Sequence, residues 1–251
     1  MKSGVGVREG KLSTLHEIAT RQYTEHYAGM NPTLDAERMP KRSYRNMELM
    51  YGPLVNQLGS GRAVADIGCG AGFLLHWLED KAGLISFGVD ASPGQVDLAR
   101  RAAPHAEVVC ADGLSFLRST QRRFGGIFCI DMLEHLETDQ DVLDLLSAVW
   151  DALEPGGFFI CRVPNAAHVL GSYSRYIDIT HHRGFTAPSL RQAFAAAAFV
   201  DIGIIPAQSS IWLGKLRLRL EYMFHRALFL LGGFPHENTF SQNIVMSAIK
   251  S

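Results

Sequence analysis

Val64-Ala65-Asp66-Ile67-Gly68-Cys69-Gly70-Ala71-Gly72-Phe73 reads as an apolar strand carrying one acid, followed by three alternating glycines that open a helix. Glycine tolerates positive φ and lets backbone come close to a ligand, as a tight strand-to-helix turn requires. A nicotinamide or flavin site is the obvious rival. The dinucleotide fingerprint sets its third glycine three residues after the second, whereas Gly72 follows Gly70 by two. Asp66 stands two residues before Gly68, where its charge disfavours a pyrophosphate and favours a cationic ligand.

Acids recur at the ends of the following strands. Leu84–Val89 is a short apolar run ending at Asp90, where a carboxylate can accept from both ribose hydroxyls of a nucleoside. Ala91 follows it, and Ser92-Pro93 then opens a helix with a hydroxyl cap and an early proline. Ala106–Cys110 leads to Ala111-Asp112-Gly113, where Asp112 could accept from an adenine amino group. Gly126–Ile130 leads to Asp131-Met132-Leu133-Glu134-His135, and Phe158–Val163 follows Leu153-Glu154-Pro155-Gly156-Gly157. Acids at successive strand ends collect on one edge of a parallel sheet, the usual ligand edge of an open α/β fold.

On these motifs, in this order and spacing, the sequence resembles a class I S-adenosylmethionine-dependent methyltransferase over residues 45–206 and a final strand. The resemblance implies an α/β, Rossmann-like, seven-stranded and mostly parallel sheet with helices on both faces. It also implies an antiparallel last strand, Asn243–Ile249, between strands five and six, and a helical cap at the ligand edge. It further implies cofactor contacts from Asp66, Gly68, Cys69, Gly70, Gly72, Asp90, Ala91, Asp112, Gly113 and Asp131.

Composition agrees. A chain of 251 residues with 47% hydrophobic residues and a formal charge of −1 can bury one large core and has no general affinity for polyanions. A nucleic-acid substrate is disfavoured on the same ground, and by the lack of an Asn/Asp-Pro-Pro-Tyr signature after strand four. The first 50 residues have no apolar run of the kind a signal peptide needs, so a cytoplasmic protein is expected. Cys69, Cys110, Cys129 and Cys161 lie in or beside strands without metal-type pairing and read as reduced core thiols.

Residues 1–50 read as a helical lead-in, with Leu12, Leu15, Ile18 and Ala19 at helical spacing, and residues 51–251 as the methyltransferase domain. Insertions at 164–185 and 207–242 leave the sheet at the C-terminal ends of strands and should shape the substrate site. The first contains Thr180-His181-His182-Arg183-Gly184-Phe185-Thr186, which resembles the segment after strand five in ubiquinone-type and glycan-type O-methyltransferases. A neutral alcohol must lose its proton during methyl transfer, and His is the usual base near neutral pH. The resemblance assigns that role to His181 before His182, with His135 as a second candidate.

Asp131, Glu134 and His135 resemble the Glu-x-x-Glu-His segment of ubiquinone-biosynthesis enzymes, which is associated with magnesium; here the shorter Asp131 replaces the first Glu. Two carboxylates and an imidazole could hold a hard divalent cation, or Glu134-His135 could simply begin a helix. The second insertion, Ile211–Leu231, mixes Trp, Phe and Leu with Lys215, Arg217, Arg219 and Arg226. It reads as a lid on the core, as a basic amphipathic helix on a membrane or lipid-linked acceptor, or as a clamp for a nucleotide-sugar phosphate. A sugar, nucleotide-sugar or glycan hydroxyl is the favoured acceptor, with a quinone-like phenol, an amine, and a non-catalytic partner subunit as rivals. The cap or the lead-in could also form a homodimer contact.

Overall fold

The computed structural model describes residues 41–81, 83–235 and 239–251. The lead-in pattern over residues 12–19 lies outside them. Helix α1 (Lys41–Val55) runs across residue 50 and buries Tyr51 and Val55. Strand β1 (Ala63–Ile67) is buried at every position and pairs in parallel with β2 (Ile85–Asp90) on one side and β4 (Phe124–Ile130) on the other. A strand covered on both faces reads as a nearly continuous apolar run, which is why Asp66 stands out within it.

The sheet has the order β3-β2-β1-β4-β5-β7-β6, with β3 (Glu107–Cys110), β5 (Leu153–Pro164), β6 (Val200–Ile204) and β7 (Asn243–Ile249). β7 is antiparallel to both β5 and β6, so the last strand lies between them as expected. The Leu153–Gly157 segment belongs to β5 itself, with a register shift opposite Phe124 and Gly126.

Side-chain alternation divides the core into two layers. Ala63, Ala65, Ile67, Phe159, Cys161 and Val163 face helices α5 (Asp139–Ala152) and α7 (Ala187–Ala196), packing with Leu145, Val149, Leu190 and Phe194. Val64, Phe128, Phe158 and Ile160 face α1, α2 (Phe73–Glu79) and α3 (Pro93–Ala102), packing with Tyr51, Leu75, Trp77 and Val96. Capping boxes at Thr138/Asp141 and Thr186/Ser189 start α5 and α7. Helix α4 (Gly113–Ser119) follows β3.

The first insertion contains α6 (Gly171–Tyr176), and the second contains α8 (Trp212–Leu231). Two histidines join them. His168 Nε2 lies 2.8 Å from Glu221 Oε1, and His225 Nε2 accepts from the backbone N–H of Val169 at 2.9 Å. Cys69, Cys129 and Cys161 are buried free thiols, but Cys110 is exposed. The expectation of a core thiol fails there because Cys110 ends β3, an edge strand with no strand on its outer side among the described residues.

Candidate active site

The turn from β1 into α2 is built on positive φ: +78° at Gly68, +51° at Gly70 and +83° at Gly72. At Gly72 an added Cβ would stand 2.8 Å from Ala99 Cα, so this glycine is required for α2 to pack on α3. At Gly70 an added Cβ would meet only Gln95 Oε1, at 3.9 Å, so backbone is presented there to open space.

Asp90 ties this turn to the next. Its Oδ2 accepts from Gly70 N–H at 2.9 Å and its Oδ1 from Ser92 N–H at 2.8 Å. Burial nevertheless raises its pKa above the usual carboxylate value. A carboxylate accepts about four hydrogen bonds, so Asp90 keeps lone pairs for a ligand. Asp112 caps α4, with Oδ1 accepting from Ser115 N–H at 2.8 Å. Asp66 is buried, and its Oδ1 finds no donor among the described residues. Burial, and then the charge of Asp90, push its pKa up to about 7.

Of these residues Gly68, Asp90 and Asp112 line a cavity of about 350 Å³, and Asp66, Gly70 and Gly72 do not. Its lining includes Gly68, Asp90, Ala91, Asp112 and Gly113 from the ends of β1, β2 and β3, together with Asp131, His135, Thr180 and His182. Cys69 and Gly72 do not line it: Cys69 is buried, and Gly72 packs against Ala99. His181 does not line the cavity. It is buried, with Nδ1 donating to the carbonyl of Ser174 at 2.8 Å and its ring edge-on to His135 at 4.8 Å between centroids. His182 is exposed, and its backbone N–H donates to the carbonyl of Glu134 at 2.8 Å.

His135 is fixed from its Nδ1 side. Asp178 Oδ1 accepts both the N–H and the O–H of Thr180, so Thr180 Oγ1 accepts from His135 Nδ1–H at 2.8 Å. This leaves the His135 lone pair on Nε2. Burial, and then the neighbouring His181, bring the His135 pKa down to about 4, so the ring is neutral at pH 7. Glu134 lies beside the pair in the short 3₁₀ turn Leu133–His135, buried, with neither carboxylate oxygen hydrogen-bonded among the described residues. Burial, and then Asp131, hold its pKa well above the ordinary carboxylate range.

The magnesium set expected from Asp131, Glu134 and His135 is not assembled. The two Asp131 oxygens pair with Arg162, Oδ1 accepting from Nε at 2.8 Å and Oδ2 from Nη2. Among the described residues, the groups that converge are instead Glu134, His135 and His181, with their ligating atoms within 4.8 Å of one another. Two imidazoles and one carboxylate do not suit magnesium, which selects oxygen donors. Arg162 is the residue that sequence reasoning passed over, although a lone cation inside Phe158–Val163 was a visible signal.

S-adenosylmethionine fits the residues present. The open approach at Gly70, the orphaned acid of Asp66 beneath a turn suited to a cation, and the Asp90 and Asp112 edge of the cavity together offer a cradle for it. The model of a family described as a methyltransferase domain matches residues 41–202. No curated protein matches the chain significantly. Among solved structures, a SAM-dependent methyltransferase from Archaeoglobus fulgidus superposes with a TM-score of 0.68 at 18% identity, covering 91% of this chain and 99% of that one. Phosphoethanolamine N-methyltransferase 2 of Haemonchus contortus, in complex with S-adenosyl-L-methionine, gives 0.66 at 17% identity over 96% of this chain and 61% of that one. A possible histamine N-methyltransferase from Thermotoga maritima gives 0.60 at 16% identity over 93% and 98%. At these identities the likenesses establish the fold, and the family match supplies the rest: the chain belongs to the methyltransferase-domain family and is an S-adenosylmethionine-dependent methyltransferase.

Proposed function

We propose that this enzyme methylates a hydroxyl group of a sugar, nucleotide sugar or glycan. The observation that carries the reading is one cavity lined by Gly68, Asp90 and Asp112 and also by His135 and Thr180. Bound S-adenosylmethionine supplies a methyl group on a sulfonium sulfur, which departs as a neutral thioether.

Asp90 and Asp112 would hold the adenosyl end, the backbone at Gly68 and Gly70 the amino-acid end, and Asp66 would answer its positive charge. The cavity would align the acceptor oxygen for displacement and shield it from water, and alignment and desolvation lower the barrier. Its proton passes to the His135–His181 pair. Both rings hold Nδ1–H in a hydrogen bond, to Thr180 and to Ser174, and so keep Nε2 as the basic atom. His135 is the imidazole on the wall, and His181 supports it from behind.

An amine acceptor, the substrate named for the Haemonchus enzyme, is the second reading, since a neutral amine needs no base to attack. Transfer of labelled methyl to panels of glycosides, nucleotide sugars and amines separates the two. The expected result is label on a hydroxyl, with His135→Asn and His181→Asn each slowing transfer by roughly 10²–10⁴-fold while cofactor affinity is kept. Label on an amine, at an undiminished rate in both variants, would overturn the reading.

A further inference from the structure

The outward face of α8 is apolar. Trp212, Leu216, Leu220, Met223, Ala227 and Leu230 recur at spacings of three and four, which places them in one stripe, and all are exposed. Trp212 is 69% exposed and Met223 65%. The opposite stripe faces the protein: His225 is the buried residue of the helix, and Glu221, its only acid, is turned to His168. Lys215, Arg219 and Arg226 run along one flank of the apolar stripe and Arg217 along the other, all exposed. Cations therefore flank the outward face on both sides, with no acid on it.

We propose that α8 lies flat on an anionic lipid bilayer, with its apolar stripe among the acyl chains and the flanking cations at the headgroups. An apolar face bordered by Lys and Arg is the pattern of interfacial helices, whose long basic side chains reach the phosphates while their stems stay apolar. No described helix is long and apolar enough to cross a membrane, so α8 rests on the surface. A second copy of the chain is a poorer occupant. Any two-fold pairing of this face, parallel or antiparallel, sets one cationic flank against another. The His168 and His225 bonds fix α8 to the first insertion, whose Thr180 and His182 line the cavity. The inference does not depend on the acceptor's being a hydroxyl.

The test is co-sedimentation of the full chain with phosphatidylcholine vesicles, with and without anionic phosphatidylglycerol, alongside analytical ultracentrifugation without lipid. We expect binding to anionic vesicles with a blue shift in tryptophan emission, and binding at least about tenfold weaker to pure phosphatidylcholine. The double variant Leu220→Glu/Met223→Glu should lose vesicle binding, and Arg217→Gln/Arg219→Gln should weaken it, with circular dichroism and cofactor affinity unchanged in both. Absence of wild-type binding to anionic vesicles would overturn the proposal. So would a wild-type dimer that Leu220→Glu/Met223→Glu converts to monomer, which would make the face a subunit interface.

Discussion

Gly72 and Asp66 carry opposite burdens within one turn, and each can be tested by a single substitution. Gly72→Ala puts a side chain at φ +83° with its Cβ 2.8 Å from Ala99 Cα. The left-handed conformation alone costs about 1–2 kcal/mol, and the contact with α3 adds to it. The urea midpoint should fall accordingly, and an unchanged midpoint would contradict the close packing of α2 on α3. Asp66, with its pKa near 7, exchanges its proton for a cationic ligand, so affinity for S-adenosylmethionine should rise as pH increases through about 7. Titration calorimetry on wild type and Asp66→Asn checks this: the slope belongs to the wild type, and a slope of the same size in the variant would remove Asp66 from the cofactor site. Both residues were legible in the sequence because their role is local to one turn. Arg162 was not, since its partner Asp131 reaches it only when β4 and β5 pair in register.

At the scale of elements, α5 shows local chemistry that can be read directly and also measured. Thr138 Oγ1 accepts from Asp141 N–H at 3.1 Å, and Asp141 Oδ2 accepts from Thr138 N–H at 2.8 Å, so Thr138→Ala removes one half of a reciprocal cap. It should cost about 1 kcal/mol in urea unfolding. No loss of stability would mean that core packing by Leu145, Leu146 and Val149 alone holds the start of the helix. Caps, strand-end acids and the alternating apolar strands are properties of a few consecutive residues, and the sheet and its order could be anticipated from them. The pairing of His135 with His181 depends instead on how the 164–185 insertion folds back across the end of β4, a contact that no local pattern encodes. For the same reason the preference for His181 over His182 gave no hint that His182 would stand on the cavity wall and His181 behind it.

Across the whole molecule, buried His135 gives the stability one dependence on pH, and buried Asp66 and Glu134 give it the opposite one. His135 has a folded pKa of about 4 against an unfolded value of 6.5. As pH falls from 6.5 the unfolded chain takes up the proton first, so up to about 3 kcal/mol is lost progressively on the way down to pH 4. Asp66 has its folded pKa raised to about 7 from 3.8, so its contribution is complete below pH 3.8 and is lost progressively as pH rises to 7. The two windows overlap, so between pH 4 and 6.5 urea unfolding should show stability falling more steeply with rising pH in His135→Asn than in wild type, and less steeply in Asp66→Asn. Parallel profiles for wild type and both variants would refute the burial of these charges. The central claim is that the cavity between the glycine turn and the Thr180–His182 segment is where methyl transfer occurs. The most direct measurement is a crystal structure with S-adenosylhomocysteine bound. The account predicts an adenosyl group hydrogen-bonded to Asp90 and Asp112, with its sulfur directed into the space before His135 and Thr180. Density for the ligand outside this cavity, or a sulfur turned away from His135, would contradict it.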